Sequence, residues 1–250
     1  MANYEEIGVV ILAAGKGTRM QSDRAKVLHI VNGQSMINHV LDCADRLSCA
    51  SVVVVVGHQS ELVMKEVKEK HAPVFALQKE LLGTGDAVRV ALPFLGTRVG
   101  HVVVLCGDVP LIRDLTVKAL VEEHMACQNK LTVLAVELDE PSGYGRIVLD
   151  LKDSLIAIRE EVDASMDEKK INLVNSGIYC IERQFLTSAL NRLKPDNAQN
   201  EYYLTDLVQI AVSDGEKTGY VRGSDPREVL GVNTLEQLKA LERLSLCRDL

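Results

Sequence analysis

The sequence predicts an α/β fold: a doubly wound, Rossmann-like sheet, mixed but mostly parallel, with helices on both faces. Two observations carry this. Residues 7–13, 51–56, 101–106 and 131–137 are short, continuous apolar runs rich in valine and isoleucine, the pattern of strands covered on both sides. Helix-period segments alternate with them, and such alternation builds a parallel sheet whose ligands bind at the carboxyl ends of the strands.

The first run, 7–13, breaks into Ala14-Gly15-Lys16-Gly17-Thr18-Arg19-Met20. A buried strand that opens into glycines delivers free backbone N–H groups to an anion. A Walker A loop is excluded, because the residue five before Gly15 is Val10 and the order is Gly-Lys-Gly-Thr. A dinucleotide fingerprint is excluded because Met20 stands where a third small residue belongs. Lys16, Arg19, Arg24 and Lys26 face only Asp23 in this stretch, a local excess of three positive charges in a chain of net charge −7. The loop reads either as a phosphate cradle or as a solvated glycine turn with surface cations.

Next, Ser35–Cys49 repeats apolar residues at Met36, Ile37, Val40, Leu41, Ala44 and Leu47, and Asp114–Cys127 does so at Leu115, Ala119, Leu120 and Met125. Both spacings are helical. The run 101–106 leads through Gly107 to Asp108, whose carboxylate emerges on the same rim as the glycine loop. Read alone, Asp108 is an N-cap for a turn at Val109-Pro110. Gly145–Glu160 and Asn175–Ile181 read as shorter, partly antiparallel strands forming a wall opposite the loop. Thr234–Arg243 reads as a helix that Asn233 would cap.

Composition narrows the class. The 250 residues suffice for one large domain with a buried core, and 47% are apolar, evenly spread, with no Pro/Gly/Ser-rich linker, repeat or low-complexity tract. An acidic chain with one basic loop argues against nucleic acid or an anionic membrane as partner and for a small anion. No positive n-region opens the chain, and no apolar run approaches the roughly 20 residues of a membrane span, so a cytoplasmic location is expected. The six cysteines, at 43, 49, 106, 127, 180 and 247, include no Cys-x-x-Cys pair and suit reduced thiols in a core.

Leu12 to Met20 followed by Lys26-Val27-Leu28-His29 resembles the signature of the sugar-1-phosphate nucleotidylyltransferases, and the Val-Leu-His after the lysine is similar to the N-acetylglucosamine-1-phosphate uridylyltransferases among them. Gln78 to Ala87, Gly107-Asp108-Val109-Pro110-Leu111, Gly143-Tyr144-Gly145-Arg146-Ile147, Asn175-Ser176-Gly177-Ile178, Glu201 to Asp206 and Gly231-Val232-Asn233 look like further blocks of that family, in its order.

The resemblance implies the nucleotide-diphospho-sugar transferase type of fold and the joining of UTP to N-acetyl-α-D-glucosamine 1-phosphate, giving UDP-N-acetylglucosamine and pyrophosphate. It implies that Arg19 and Lys26 act on the phosphates and that Leu12, Ala13, Ala14 and Gly15 border the nucleotide. Gln78, Gly83 and Thr84 would read the uracil; Gly145, Glu160 and Asn175 would hold the sugar. Asp108 and Asn233 would bind Mg2+, Asn233 also touching substrate. Another nucleotide or sugar phosphate, or a non-catalytic nucleotide-sugar-binding regulator, are the alternatives.

Four positions depart from the family pattern: Ala25 for proline, Asp86 for histidine, Cys106 for a tyrosine or other polar residue, and Val162 for lysine. Cys106 and Val162 bear on the strictness for the N-acetyl group. The expected division is a nucleotidylyltransferase domain over 1–232 and a C-terminal helix over 233–250 that starts an arm in longer family members. Those members continue into a β-helix acetyltransferase, expected to be absent here. The oligomeric state is open, a trimer following only with that further domain.

Overall fold

The computed structural model describes residues 2–20 and 22–246. In chain order it holds β1 (Ile7–Ala13), a hairpin of β2 (Ile30–Val31) and β3 (Gln34–Ser35), α1 (Met36–Asp45), β4 (Ser51–Val56), α2 (Ser60–Lys68), β5 (Val74–Leu77), α3 (Thr84–Ala91), β6 (His101–Cys106) and α4 (Asp114–Cys127). There follow β7 (Leu131–Glu137), β8 (Arg146–Leu149), β9 (Leu155–Arg159), β10 (Leu173–Glu182), α5 (Arg183–Leu190), α6 (Asp206–Ser213), β11 (Thr218–Arg222) and α7 (Leu235–Leu246). The four strands expected from apolar runs have the expected bounds.

The main sheet runs β11-β7-β10-β6-β1-β4-β5, with β8 and β9 branching from β10. Pairings of β1 with β4 and β6, of β4 with β5, and of β11 with β7 are parallel. Strand β10 is inserted antiparallel between β6 and β7. Alternation along β1 shows why its apolar run is unbroken. Val9 and Ile11 pack with Ile37, Val40 and Leu41 of α1 and Leu120 of α4, whereas Val10 packs with Val88 of α3 and Leu186 of α5. Both faces are covered, and each fully buried aliphatic side chain contributes about 1.5–3 kcal/mol relative to exposure.

Two helix expectations are trimmed. The segment read as Ser35–Cys49 is helical only from Met36 to Asp45. Asn32 and Gly33, both at positive φ, turn the β2–β3 hairpin, and Ser35 is consumed by its pairing with Ile30. At the other end Ser48 adopts φ 53° and ends the helical path. The C-terminal helix begins at Leu235 and is described to Leu246; the rest of the expected 233–250 segment, with Cys247, lies outside the described residues.

The strand ends position the site. Register sets Leu12 beside Cys106 and Ala13 beside Val56, and the bonds continue past the strands through Gly107 N to Leu12 O at 2.9 Å and His58 N to Ala14 O at 3.1 Å. Because β10 runs antiparallel to β6, with Tyr179 opposite Val104, its beginning rather than its end reaches this rim. Asn175 therefore arrives beside the carboxyl ends of β1 and β6.

Candidate active site

The loop after β1 closes on the residues that follow it. Gly17 has φ 63°, and a Cβ there would lie 2.6 Å from Lys26 Cβ, so glycine is required twice, by conformation and by space. Lys26 is brought back over the loop, and its Nζ donates to Asp108 Oδ2 and, at 3.0 Å, to Asn233 Oδ1. Arg19 Nη2 donates to the same Asn233 oxygen at 3.2 Å. Ala25 is buried, and its N–H donates to Gln59 Oε1 at 2.7 Å; proline, lacking an N–H, could not make that bond.

Neither cap reading survives. Asp108 sits in a turn closed by Val109 N to Cys106 O at 3.1 Å, its carboxylate on Lys26 and its carbonyl accepting from Val232 N at 3.0 Å. Helix α7 is capped by Thr234, whose Oγ1 accepts from Gln237 N at 3.1 Å. Gln237 Oε1 accepts in return from Asn233 N and Thr234 N at 2.7 and 3.2 Å. This is a capping box, and it leaves the Asn233 carboxamide free to meet Lys26 and Arg19. The Thr234-x-x-Gln237 spacing carries that signal in the sequence itself.

Two hollows meet at Asp108. One is lined by the loop 12–18 with Lys26, Gln78, Gly83 and Thr84. The other is lined by Tyr144, Gly145, Glu160, Asn175 and Asn233. Leu12, Thr84, Cys106 and Asp108 border both. The expected phosphate, base, sugar and metal residues thus meet at one rim, Arg19 reaching it through Asn233. Val162 is more than half exposed and borders neither hollow.

In the first hollow Gln78 follows β5 and donates from Nε2 to Gly83 O at 3.1 Å and to Asp86 Oδ2 at 2.9 Å. Gly83 has φ 110°, and a Cβ there would lie 2.7 Å from Tyr202 O. In the second, Glu160 accepts from Thr205 Oγ1 at 3.1 Å. Burial raises the pKa of its carboxyl, and Asp163, Asp206 and Glu201 add repulsion, against the lowering effect of Thr205. Asn175 is buried and internally satisfied, its Nδ2 donating to Tyr179 Oη at 2.7 Å and its Oδ1 accepting from Gly177 N at 2.9 Å.

Between the hollows, Cys106 Sγ donates to Gly177 O at 3.4 Å. Burial pushes the thiol up to about 12, with Asp108 adding to the shift and Lys26 opposing it, so it is a neutral wall and not a nucleophile. The cysteines at 43, 49, 106, 127 and 180 are all free thiols.

Residues without an individual role in the sequence reading also border the site. Burial raises the pKa of Tyr144, a hydrogen bond from the Gly231 backbone lowers it, and the Asp108 charge raises it again; both residues line the second hollow. Thr205 orients Glu160. No periodicity marks either residue, because each acts through a contact distant in sequence.

Asp108 Oδ2 and Asn233 Oδ1 converge on one cation, the Lys26 ammonium. A carboxylate and an amide oxygen are the hard donors a Mg2+ ion takes when substrate oxygens and waters complete its shell. Among the described residues no group of three or more His, Cys, Asp or Glu could hold a metal without such help. None of the described helices is long and apolar enough to cross a membrane.

A family model described as nucleotidyl transferase matches residues 8–226. The chain is 46% identical over 232 residues to the bifunctional protein GlmU of Geotalea uraniireducens, covering 93% of this chain and 51% of that protein. It is 42% identical over 235 residues to the bifunctional protein GlmU of Clostridioides difficile, covering 94% and 50%. It thus spans about half the length of the curated relatives it matches. A crystal structure of UDP-glucose pyrophosphorylase complexed with UDP-glucose superposes with a TM-score of 0.78 at 17% identity, covering 96% of this chain and 98% of that one; the likeness concerns the fold. With a family match over most of its length, laid on an α/β sheet whose glycine loop and flanking cations face one rim, this chain belongs to the nucleotidyl transferase family.

Proposed function

We propose that this chain joins UTP to N-acetyl-α-D-glucosamine 1-phosphate, releasing pyrophosphate. One observation carries the reading: Arg19, Lys26, Asp108 and Asn233 meet where a hollow bordered by Gln78, Gly83 and Thr84 adjoins a second hollow bordered by Gly145, Glu160 and Asn175. The reactive phosphorus would lie at that junction.

The reaction needs no protein nucleophile. The sugar phosphate attacks the α-phosphorus in line, so the protein acts by holding two anions together and neutralising the charge that develops on the α-phosphate and the departing pyrophosphate. Lys26 and Arg19 would leave their partners on Asp108 and Asn233 for phosphate oxygens. Backbone N–H groups of the Gly15–Gly17 loop would meet the same oxygens. Asp108 and Asn233 would then hold Mg2+, which supplies charge neutralisation between nucleotide and sugar phosphate. Glu160 suits hydroxyl donors on the sugar. A cytoplasmic setting and small-molecule substrates accompany this reading, and its domain division is a nucleotidylyltransferase domain over 1–232 followed by the segment that carries α7.

The test is a panel of nucleoside triphosphates and sugar 1-phosphates scored by pyrophosphate release. UTP with N-acetylglucosamine 1-phosphate is expected to be fastest. Equal or faster turnover of CTP, GTP or dTTP, or of an unrelated sugar phosphate, refutes the substrate assignment. Binding of nucleotide sugar without turnover of any pair favours the regulator alternative.

A further inference from the structure

We infer that Asp86 is a specificity-determining positioning residue: it fixes the side-chain amide of Gln78 so that only the carbonyl oxygen faces the nucleotide base. The inference rests on the uridylyl reading and deepens it.

Gln78 is buried at the edge of the first hollow. Its Nε2 has two protons and meets two acceptors, the Gly83 carbonyl at 3.1 Å and the Asp86 carboxylate at 2.9 Å. Neither acceptor has a proton to give, so the amide has one orientation; turned over, its oxygen would face a carboxylate and a carbonyl at hydrogen-bond distance. With both donors consumed, Oε1 is the group left for a ligand.

Asp86 is itself held. It lies in the first turn of α3 and is buried. Its Oδ1 accepts from Arg89 Nη1 at 3.2 Å, and Arg89 Nη2 donates to Leu190 O at 2.8 Å. The guanidinium lies 4.8 Å from the centre of the Tyr202 ring. Tyr202 O in turn accepts from Gly85 N at 2.7 Å, which ties the loop that carries the ring to the start of α3. A buried carboxylate paired to a stacked arginine keeps its place, and passes that fixed geometry to Gln78.

An acceptor-only amide selects between pyrimidines. Uracil presents a donor, N3–H, at the middle of its pairing edge; cytosine presents a bare N3 lone pair there. Uracil forms a hydrogen bond with Gln78 Oε1, and cytosine in the same pose sets two acceptors against each other. A freely turning glutamine would serve both bases, because its amide has a donor and an acceptor side by side. Thymine shares uracil's edge, so this device separates UTP from CTP and leaves dTTP to other contacts.

The experiment measures kcat/KM for UTP and CTP, each with N-acetylglucosamine 1-phosphate, in wild type, Asp86→Ala and Asp86→Asn. In Asp86→Ala the UTP preference should narrow by about tenfold, the value of one well-made hydrogen bond, with the change in KM rather than kcat. Asp86→Asn keeps the size of the side chain but brings an N–H that can donate to a turned Gln78 oxygen, so there too the preference should narrow. A folded Asp86→Ala protein with an unchanged ratio overturns the inference alone, whereas a wild-type enzyme with no preference for UTP overturns the uridylyl reading and the inference with it. Should Asp86→Ala fail to fold, nuclear magnetic resonance of the wild-type protein decides: two resolved Gln78 amide protons protected from exchange support the lock, and a rapidly exchanging pair overturns it.

Discussion

Replacing Lys26 by alanine should weaken catalysis and tighten magnesium binding at once, because the ammonium stands where the metal is proposed to bind. Lys26 donates to both Asp108 and Asn233, and the side chains of the Lys26–Asp108 pair are only 16% and 19% exposed. A hydrogen bond between charged groups in such a setting is worth about 1.5–3 kcal/mol. A metal that must first displace the ammonium pays roughly that much, which corresponds to about 10- to 100-fold in affinity. Lys26→Ala removes the competitor and should strengthen magnesium binding by that factor. The same change removes a preorganised phosphate contact, lowering turnover about 10²- to 10³-fold. Without metal the variant should melt below wild type, its Asp108 carboxylate left uncompensated; with metal the gap should close. Calorimetric magnesium titration, thermal melts with and without metal, and pyrophosphate release measure the three effects. A folded variant that binds magnesium no more tightly than wild type, or turns over at the wild-type rate, refutes the exchange of partners on which the mechanism rests.

Asp108→Asn preserves shape and the backbone bond from Val232, so the fold should hold while turnover falls by about 10² or more and the magnesium-induced thermal shift disappears; an active variant, or full wild-type activity in EDTA, would defeat the metal assignment. Gly17→Ala forces a side chain into φ 63° and against Lys26 Cβ, costing about 1–3 kcal/mol of strain and reproducing much of the Lys26→Ala defect; wild-type kinetics in this variant would show the loop to be uninvolved. Glu160 has a raised pKa chiefly through burial, so its folded form binds a proton more tightly than its unfolded form and its ionisation erodes stability as pH rises through and above the usual carboxylate range. Glu160→Gln should therefore gain thermal midpoint relative to wild type as pH rises above the usual carboxylate range, while KM for the sugar phosphate rises about tenfold through loss of a charge-assisted contact. Parallel melting curves across that range, or an unchanged KM, would count against the buried sugar-facing carboxylate.

Much of the sheet was legible because strands buried on two faces have no polar positions to interrupt them. Ile7–Ala13 is of this kind, and Leu131–Glu137 nearly so, with Thr132 buried and only Glu137 exposed. The edge strand Thr218–Arg222 escaped notice because none of its residues is fully buried, and Val74–Leu77 because four residues with one buried position make no pattern. Helix Ser60–Lys68 buries only Val63 and Val67, too few for a periodic signal. In the site, the glycine loop was legible through its own residues. Asn233 was legible only through the family resemblance, since an asparagine before a helix reads as its cap unless Thr234-x-x-Gln237 is recognised as the capping box. Asp86 lay further from view: its departure from the family pattern was visible, but its contact with Gln78 depends on how β5 and α3 meet.

The excess positive charge of the loop has a different meaning in the folded protein than along the sequence. Lys26 rests on Asp108, and Arg19 rests on the oxygen of Asn233. One of the loop's excess charges is therefore compensated in the free site, which holds Lys26 and Arg19 on groups that would serve a metal once phosphate arrives. That arrangement depends on the far end of the chain. Val232 is tied to Asp108 by a backbone bond, and Leu241 of α7 is buried in one apolar cluster with Met20, Val31 and Met36. Met20 follows Arg19 directly, so the packing that seats α7 also fixes the stretch between the glycine loop and Lys26. Two segments more than two hundred residues apart are joined on both sides of the phosphate site, by an apolar contact beneath and a polar contact above. Breaking the polar contact on loading leaves the apolar one in place, and the loop can exchange partners without losing its position.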